Sequence, residues 1–99
     1  FLYYVAHSIA YTFNRDYERG IEWGKKCISD TPGFTNGYKP IICCLGHLGK
    51  IEEAAEYIDR LSQLDPDFSI DQVAKVYPFK QQHDRDHYIE GLRKAGVHH

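Results

Sequence analysis

Methionine is absent from this chain, at position 1 as everywhere else. The sequence therefore reads as a piece of a longer protein, and Phe1-Leu2-Tyr3-Tyr4 reads as the inside of a helix. Cysteine is scarce and badly spaced for a framework. Cys27, Cys43 and Cys44 form no CxxC pair, and an odd number of thiols argues against a disulfide scaffold. Reduced thiols in a cytoplasmic protein are the expectation, since cysteine serves well as a small hydrophobe in a helix interface. Long apolar runs are missing too. None approaches the roughly 20 residues of a membrane span, no signal peptide is visible, and no membrane contact is expected. Nor does either sign of charge dominate. Twelve basic residues stand against 14 acidic ones, a net charge of −2, which supplies no basic face for nucleic acid. His98-His99 reads as the stub of a purification tag and is given no functional weight.

What is present is a repeat. Pro32 and Pro66 lie 34 residues apart, and at that offset Tyr4 falls on Tyr38, Glu18 on Glu52, Glu22 on Glu56 and Phe34 on Phe68. Softer pairs fill the gaps: Tyr11 with Leu45, Gly20 with Ala54, Trp23 with Tyr57, Lys26 with Arg60. In the first unit, residues 1–34, apolar and aromatic residues at Tyr4, Ala6, Ile9, Ala10 and Phe13 fit a helix. Asn14-Arg15-Asp16 breaks it, with Asp16 as the expected N-cap of a second helix through Ile28. Thr31-Pro32-Gly33 stops that helix. In the second unit, residues 35–68, a helix carries Tyr38, Ile41, Ile42, Leu45 and Leu48, with Pro40 in its first turns and Gly49 at its end. Ile51, Ala54, Ala55, Ile58 and Leu61 give the stripe of the next, which Asp65-Pro66-Asp67 closes.

The small residue early in each second helix, Gly20 or Ala54, is expected to let two helices approach closely. Trp23 and Tyr57 are expected to wedge between neighbouring helices, and Phe34 and Phe68 to plug the joint behind each proline. Residues 69–97 depart from the repeat. Ser69-Ile-Asp-Gln72 is a capping-box pattern, followed by a short helix that Pro78 stops. A polar stretch, Lys80 to His83, leads to a last helix from about Asp84 to Ala95, with Gly96 beyond its end. This pair is expected to act as a C-terminal cap.

A 34-residue self-similarity ending in proline resembles the tetratricopeptide (TPR) repeat. Asp16 to Trp23 and Leu48 to Ala54 look like the openings of that family's second helices. The chain departs from the pattern at Gly20 and Gly24, where alanine and an aromatic are usual, and at Ile42, where a small residue is usual. The resemblance covers residues 1–68 and implies an all-α fold: a right-handed superhelix of helix pairs, two repeats plus a capping pair. The tail sharpens it. Asp65-Pro-Asp-Phe-Ser-Ile, Tyr77-Pro-Phe79 and Tyr88 to Gly96 are similar to a recurrent ending of bacterial signalling proteins. In these a class III adenylate/guanylate cyclase domain, or a winged-helix regulator, precedes a TPR tail. The resemblance implies the tail of an adenylate cyclase, and no cyclase residues lie in this stretch.

By the repeat alignment, the residues expected to face a concave groove are Leu2, Val5, Ile9, Thr12 and Phe13 from the first unit. Asn36, Lys39, Cys43, Gly46 and His47 follow from the second. The lining is apolar with one lysine, which favours an apolar peptide or helix. Val5 and Ile9 stand where chaperone-binding members carry clamp residues for a C-terminal carboxylate, so that ligand is disfavoured. The alternative is an intramolecular or homo-oligomerisation element. His83 and His87, with Asp84 and Asp86 beside them, have a spacing that could hold a metal, but no third ligand is placed and a solvated helix end is the simpler reading. Cys43-Cys44 with His47 could form a thiol site; buried thiols are the simpler reading. His7 could contact a ligand or be half-buried packing. No nucleophile is paired with a base, so neither catalysis, cofactor nor metal is expected.

Overall fold

The structure, a computed structural model, describes residues 2–77 and 79–99. Among these residues it is all-helical: α1 (Leu2–Phe13), α2 (Tyr17–Asp30), a 3-10 turn (Thr35–Gly37), α3 (Tyr38–His47), α4 (Ile51–Leu64), α5 (Ile70–Val76) and α6 (Gln82–Ala95). The helix stop assigned to Pro78 lies outside the described residues. The last helix begins two residues before its expected start.

The 34-residue offset is written into the backbone. α2 and α4 have the same length and begin and end 34 positions apart. The turn before α2 is held by Asn14 N–H to Ala10 O and Asp16 N–H to Tyr11 O. The turn after it is held by Thr31 N–H to Cys27 O and Phe34 N–H to Thr31 O. All four bonds recur 34 residues on, as Leu48 to Cys44, Lys50 to Leu45, Asp65 to Leu61 and Phe68 to Asp65, every one between 2.8 and 3.1 Å. Even the left-handed residue repeats: Arg15 at φ 61° and Gly49 at φ 74°. Different side chains thus specify the same turn.

Asp16 occupies the N-cap position, but its side chain caps nothing. Its ψ of 75° is not the extended conformation in which a cap side chain folds back on the helix, and its carboxylate lies 3.5 Å from Arg19 instead. Ser69 does cap, accepting the Gln72 N–H at 3.1 Å. The Gln72 side chain donates to Asp65 at 3.1 Å rather than completing the box.

α3 is the axis of the molecule. Every residue from Tyr38 to Gly46 is buried, the mark of a helix surrounded by others. On one side it packs antiparallel to α2: Cys44 meets Gly20, Ile41 meets Gly24, and Gly37 meets Cys27 and Ile28. A Cβ on Gly20 would come within 2.9 Å of both Cys44 Sγ and Thr12 Oγ1, so the small residue there is required by the approach of α3. Trp23 lies half-buried against α1, with its ring 4.7 Å from His7 and 5.9 Å from Tyr3. Phe68 is fully buried, while Phe34 is half-buried. α4 covers a second side of α3, and α6 covers the third.

The α3–α6 contact is closer still. A Cβ on Gly46 would run into the Gly91 carbonyl oxygen, and a Cβ on Gly91 would sit 2.5 Å from Cys43 Sγ. Behind this crossing Tyr88, Leu92 and Ala95 are buried. α6 packs more extensively on α3 than on α5, its expected partner. The chain ends by pairing with α5: the His98 carbonyl accepts the Ile70 N–H at 2.9 Å and the His99 carbonyl accepts the Asp71 N–H at 3.3 Å. The two histidines set aside as a tag stub thus satisfy donors that a helix start leaves open.

Two stability outcomes follow. Arg15 pays roughly 1 kcal/mol for a left-handed backbone. Urea denaturation of Arg15→Gly is expected to show a gain of about 0.5–1 kcal/mol, and of Gly49→Ala a loss of about 1 kcal/mol. A Cβ on Gly49 would meet nothing within 4 Å, so that loss is purely backbone; both variants shifting in one direction would contradict it. Gly46→Ala forces backbone from backbone and should cost about 2 kcal/mol or more, a fall in Tm of roughly 10 °C. Gly33→Ala, where an added Cβ also meets nothing within 4 Å, should stay within about 0.5 kcal/mol.

Candidate functional site

The i, i+3, i+4 spacing of α1 puts Leu2, Val5, Ile9 and Phe13 on one face. Together with Phe34 and Asn36 they form one side of a groove of about 520 Å³. Tyr77, Phe79, Lys80 and Asp84 form the other. The far wall is stiffened by aromatic packing: Tyr77 and Phe79 lie 5.2 and 5.6 Å from the ring of Tyr88, and Phe13 reaches across to Phe79 at 6.3 Å and Tyr88 at 6.0 Å. Tyr88 is fully buried and its hydroxyl lies 3.3 Å from that of Tyr77. Burial pushes both phenols up, Tyr77 to about 12, so the cluster stays neutral. Lys80 and Asp84 bring the charged groups. The site is therefore an apolar trough with one charge of each sign.

Five of the ten residues singled out in the sequence meet here: Leu2, Val5, Ile9, Phe13 and Asn36. The other five lie elsewhere, each for a physical reason. Thr12 is buried, donating to the Ser8 carbonyl at 2.7 Å with Cys44 Sγ at 3.1 Å. Lys39 is 4% exposed, with Nζ 5.6 Å from the Tyr77 ring and 6.0 Å from that of Phe68. Burial lowers its pKa, against the pull of Asp65. Substituting Lys39 thus perturbs the core rather than the groove. Cys43 is fully buried, its Sγ 3.6 Å from the Tyr88 carbonyl, and His47 is covered by α6 along with Gly46.

Cys43 and Cys44 are free thiols with no exposure. Burial raises both pKa values, Cys44 to about 11, so neither is a nucleophile at neutral pH. His7 is half-buried, with Nδ1 3.1 Å from the Tyr3 carbonyl one turn back. His83 is exposed beside Asp84, whereas His87 turns inward. Among the described residues no group of three or more histidine, cysteine or acidic side chains could hold a metal. None of their helices is long and apolar enough to cross a membrane.

One constellation has no counterpart in the sequence reading. Tyr17 from α2, His47 from α3 and His87 from α6 stack on one another. The histidine rings lie 4.3 Å apart and 10° from parallel, and Tyr17 lies 4.9 Å from His47. The Tyr17 hydroxyl is 2.8 Å from His87 Nε2, and His47 Nε2 donates to the His87 carbonyl at 2.8 Å. Burial lowers the pKa of both histidines, and for His87 the neighbouring His47 ring and Arg15 add to it, bringing it to about 4. His47 had been weighed with the cysteines and His87 with His83. Forty residues separate the two, and no local pattern links them.

A second, shallower depression of about 770 Å³ runs along α1 and α2 past Tyr3, Tyr4, Trp23 and Lys26. Lys26 Nζ lies 4.2 Å from the Trp23 ring, which sets a charge over the aromatic part of this surface. No protein-family model, curated protein or solved structure matches the chain.

Proposed function

We propose that this chain is a non-catalytic protein-interaction module of TPR type, working in the cytoplasm as the tail of a bacterial adenylate cyclase-like signalling protein. Its ligand is an apolar peptide or helix, and the site is the groove along α1. The observation that carries the binding reading is the unbroken apolar face of Leu2, Val5, Ile9 and Phe13, opposed by Tyr77 and Phe79 across an open trough. Aromatic anchors around an apolar floor are what peptide-binding grooves use. From Leu2 to Phe13 the face is about three helical turns long, matching an amphipathic helix of similar length. The TPR assignment is supported by the 34-residue recurrence of turns and helix ends. The link to a cyclase rests on the tail residues from Asp65 to Gly96 alone, and sequencing the gene upstream of Phe1 tests it.

Exposed apolar residues at the start of α1, Leu2 at 65% and Tyr3 at 63%, favour a second reading. In it this end of α1 meets another copy of the chain or another part of the parent protein. Sedimentation at high concentration separates the two, since a monomer at high concentration removes self-association.

The groove is tested by selecting peptides of about 12–20 residues from a displayed library against the chain. Binders should carry apolar residues at helical spacing. Ile9→Asp and Leu2→Asp should each weaken them about tenfold or more, while Glu56→Lys, on the exposed side of α4, should leave them unchanged. Binders indifferent to Ile9→Asp would remove the groove as the site.

A further inference from the structure

We propose that the stack of Tyr17, His47 and His87 is a pH-sensitive latch, which holds α6 on α3 while both imidazoles are neutral and releases it when they take up protons. The geometry carries the inference. The stack joins three helices at one point, beside the glycine crossing that lets α6 lie on α3. The His87 carbonyl can only accept, so His47 Nε2 carries its hydrogen and Nδ1 is left to take up a proton. His87 Nε2 faces the Tyr17 hydroxyl, and His87 Nδ1 is buried with no hydrogen-bond partner. The imidazolium of His87 carries a hydrogen on both nitrogens, so Nδ1 is then a charged donor with nothing to receive it. Protonating both rings sets two positive charges 4.3 Å apart, face to face.

The surroundings do not relieve this. Arg15, from the turn before α2, and Lys94, on α6, oppose protonation of both rings. Asp84 favours it at His87 and Glu90 favours it at His47, both from α6. Tyr17 on α2 and Cys43 and Cys44 on α3 are neutral groups whose pKa values burial raises. The sign of the effect follows. A histidine on a released α6 titrates near 6.5, its unperturbed value, whereas docked His87 is held at about 4. Docking is at full strength above the first value and weakens as pH falls toward the second, because the released state binds more protons throughout that window.

Release uncovers Cys43, Gly46 and His47, the α3 face that α6 fills as a built-in occupant, and withdraws Asp84 from the groove. Only the consequence for ligand binding rests on the groove being a binding site; the latch itself is read without any ligand.

Cys43 reports the latch. It lies under Tyr88 of α6, whereas Cys27 is buried against Gly37, away from α6. The full chain is pulsed with N-ethylmaleimide, and each cysteine's rate is divided by that of the urea-unfolded chain at the same pH, which cancels the intrinsic titration of the thiol. From about pH 7.5 to about pH 5 the protection of Cys43 should fall roughly tenfold or more, with Cys27 protected throughout. His87→Phe keeps an aromatic ring in the stack and removes the more strongly shifted of the two titrations, so the change of its Cys43 protection with pH should shrink. Should that variant fail to protect Cys43 at the higher pH, His47→Phe takes its place. If both fail, the wild-type comparison of Cys43 with Cys27 decides. Equal protection of Cys43 at both pH values, simultaneous loss at Cys27, or an unchanged pH response in the phenylalanine variant would each overturn the latch.

Discussion

The crossing of α6 over α3 at Gly46 and Gly91 is the contact on which the rest of the molecule depends. α3 is apolar on every side, so it needs cover on every side. α2 and α4 supply two parts of that cover, and only α6 supplies the third. Gly91, inside α6, costs about 1 kcal/mol against alanine, and Gly46, one residue from the end of α3, costs less. Against that stand Tyr88, Leu92 and Ala95, all buried by the crossing, where a single leucine or aromatic contributes about 1.5–3 kcal/mol. The margin is favourable only while the two backbones touch. A methyl group between them would lift α6 off the whole of that surface.

The repeat was legible because its signals are local. Pro32, Pro66 and the apolar stripes fix where α2 and α4 begin and end, and a turn closed within five residues carries its own instructions. Gly20 was legible as a close-approach residue for the same reason. The docking of α6 was not legible, because the partner of Gly91 lies 45 residues earlier and nothing near either glycine names the other. That one contact moves Cys43 and His47 out of the groove. Lys39 was misplaced for a different reason: the repeat alignment set it in the groove, yet its side chain reaches Phe68 and Tyr77 and the residue is only 4% exposed. The α1 side of the groove was read from the repeat alignment. Its aromatic wall, Tyr77 and Phe79, belongs to a segment with no repeat counterpart, so alignment could not supply it.

Polar groups inside this core are placed where the helix backbone can satisfy them. Ser8 donates to the Gly20 carbonyl at 2.6 Å and Thr12 to that of Ser8 at 2.7 Å, so α1 meets α2 through hydroxyls without leaving a donor orphaned. Tyr38 does the same at the joint, donating to the Pro32 carbonyl at 2.7 Å. These bonds are indifferent to pH near neutrality. The histidine stack differs in kind: His87 Nδ1 is buried without a hydrogen-bond partner, and its members can acquire charge.

The repeat also explains why α6 can be held firmly at one point and conditionally at another. Phe13 and His47 are equivalent positions, each ending the first helix of its unit. α6 meets both with adjacent residues, Tyr88 on Phe13 at 6.0 Å and His87 on His47 at 4.3 Å. The first contact is apolar and persists at any pH. The second is aromatic in the same sense only while uncharged. Loss of the second therefore leaves the Tyr88 ring held by Phe13 and Phe79 as a pivot, while the α6 backbone from Tyr88 to Gly91 that covers Cys43 swings from α3. A single architecture, repeated with one residue changed from phenylalanine to histidine, turns a static contact into a conditional one.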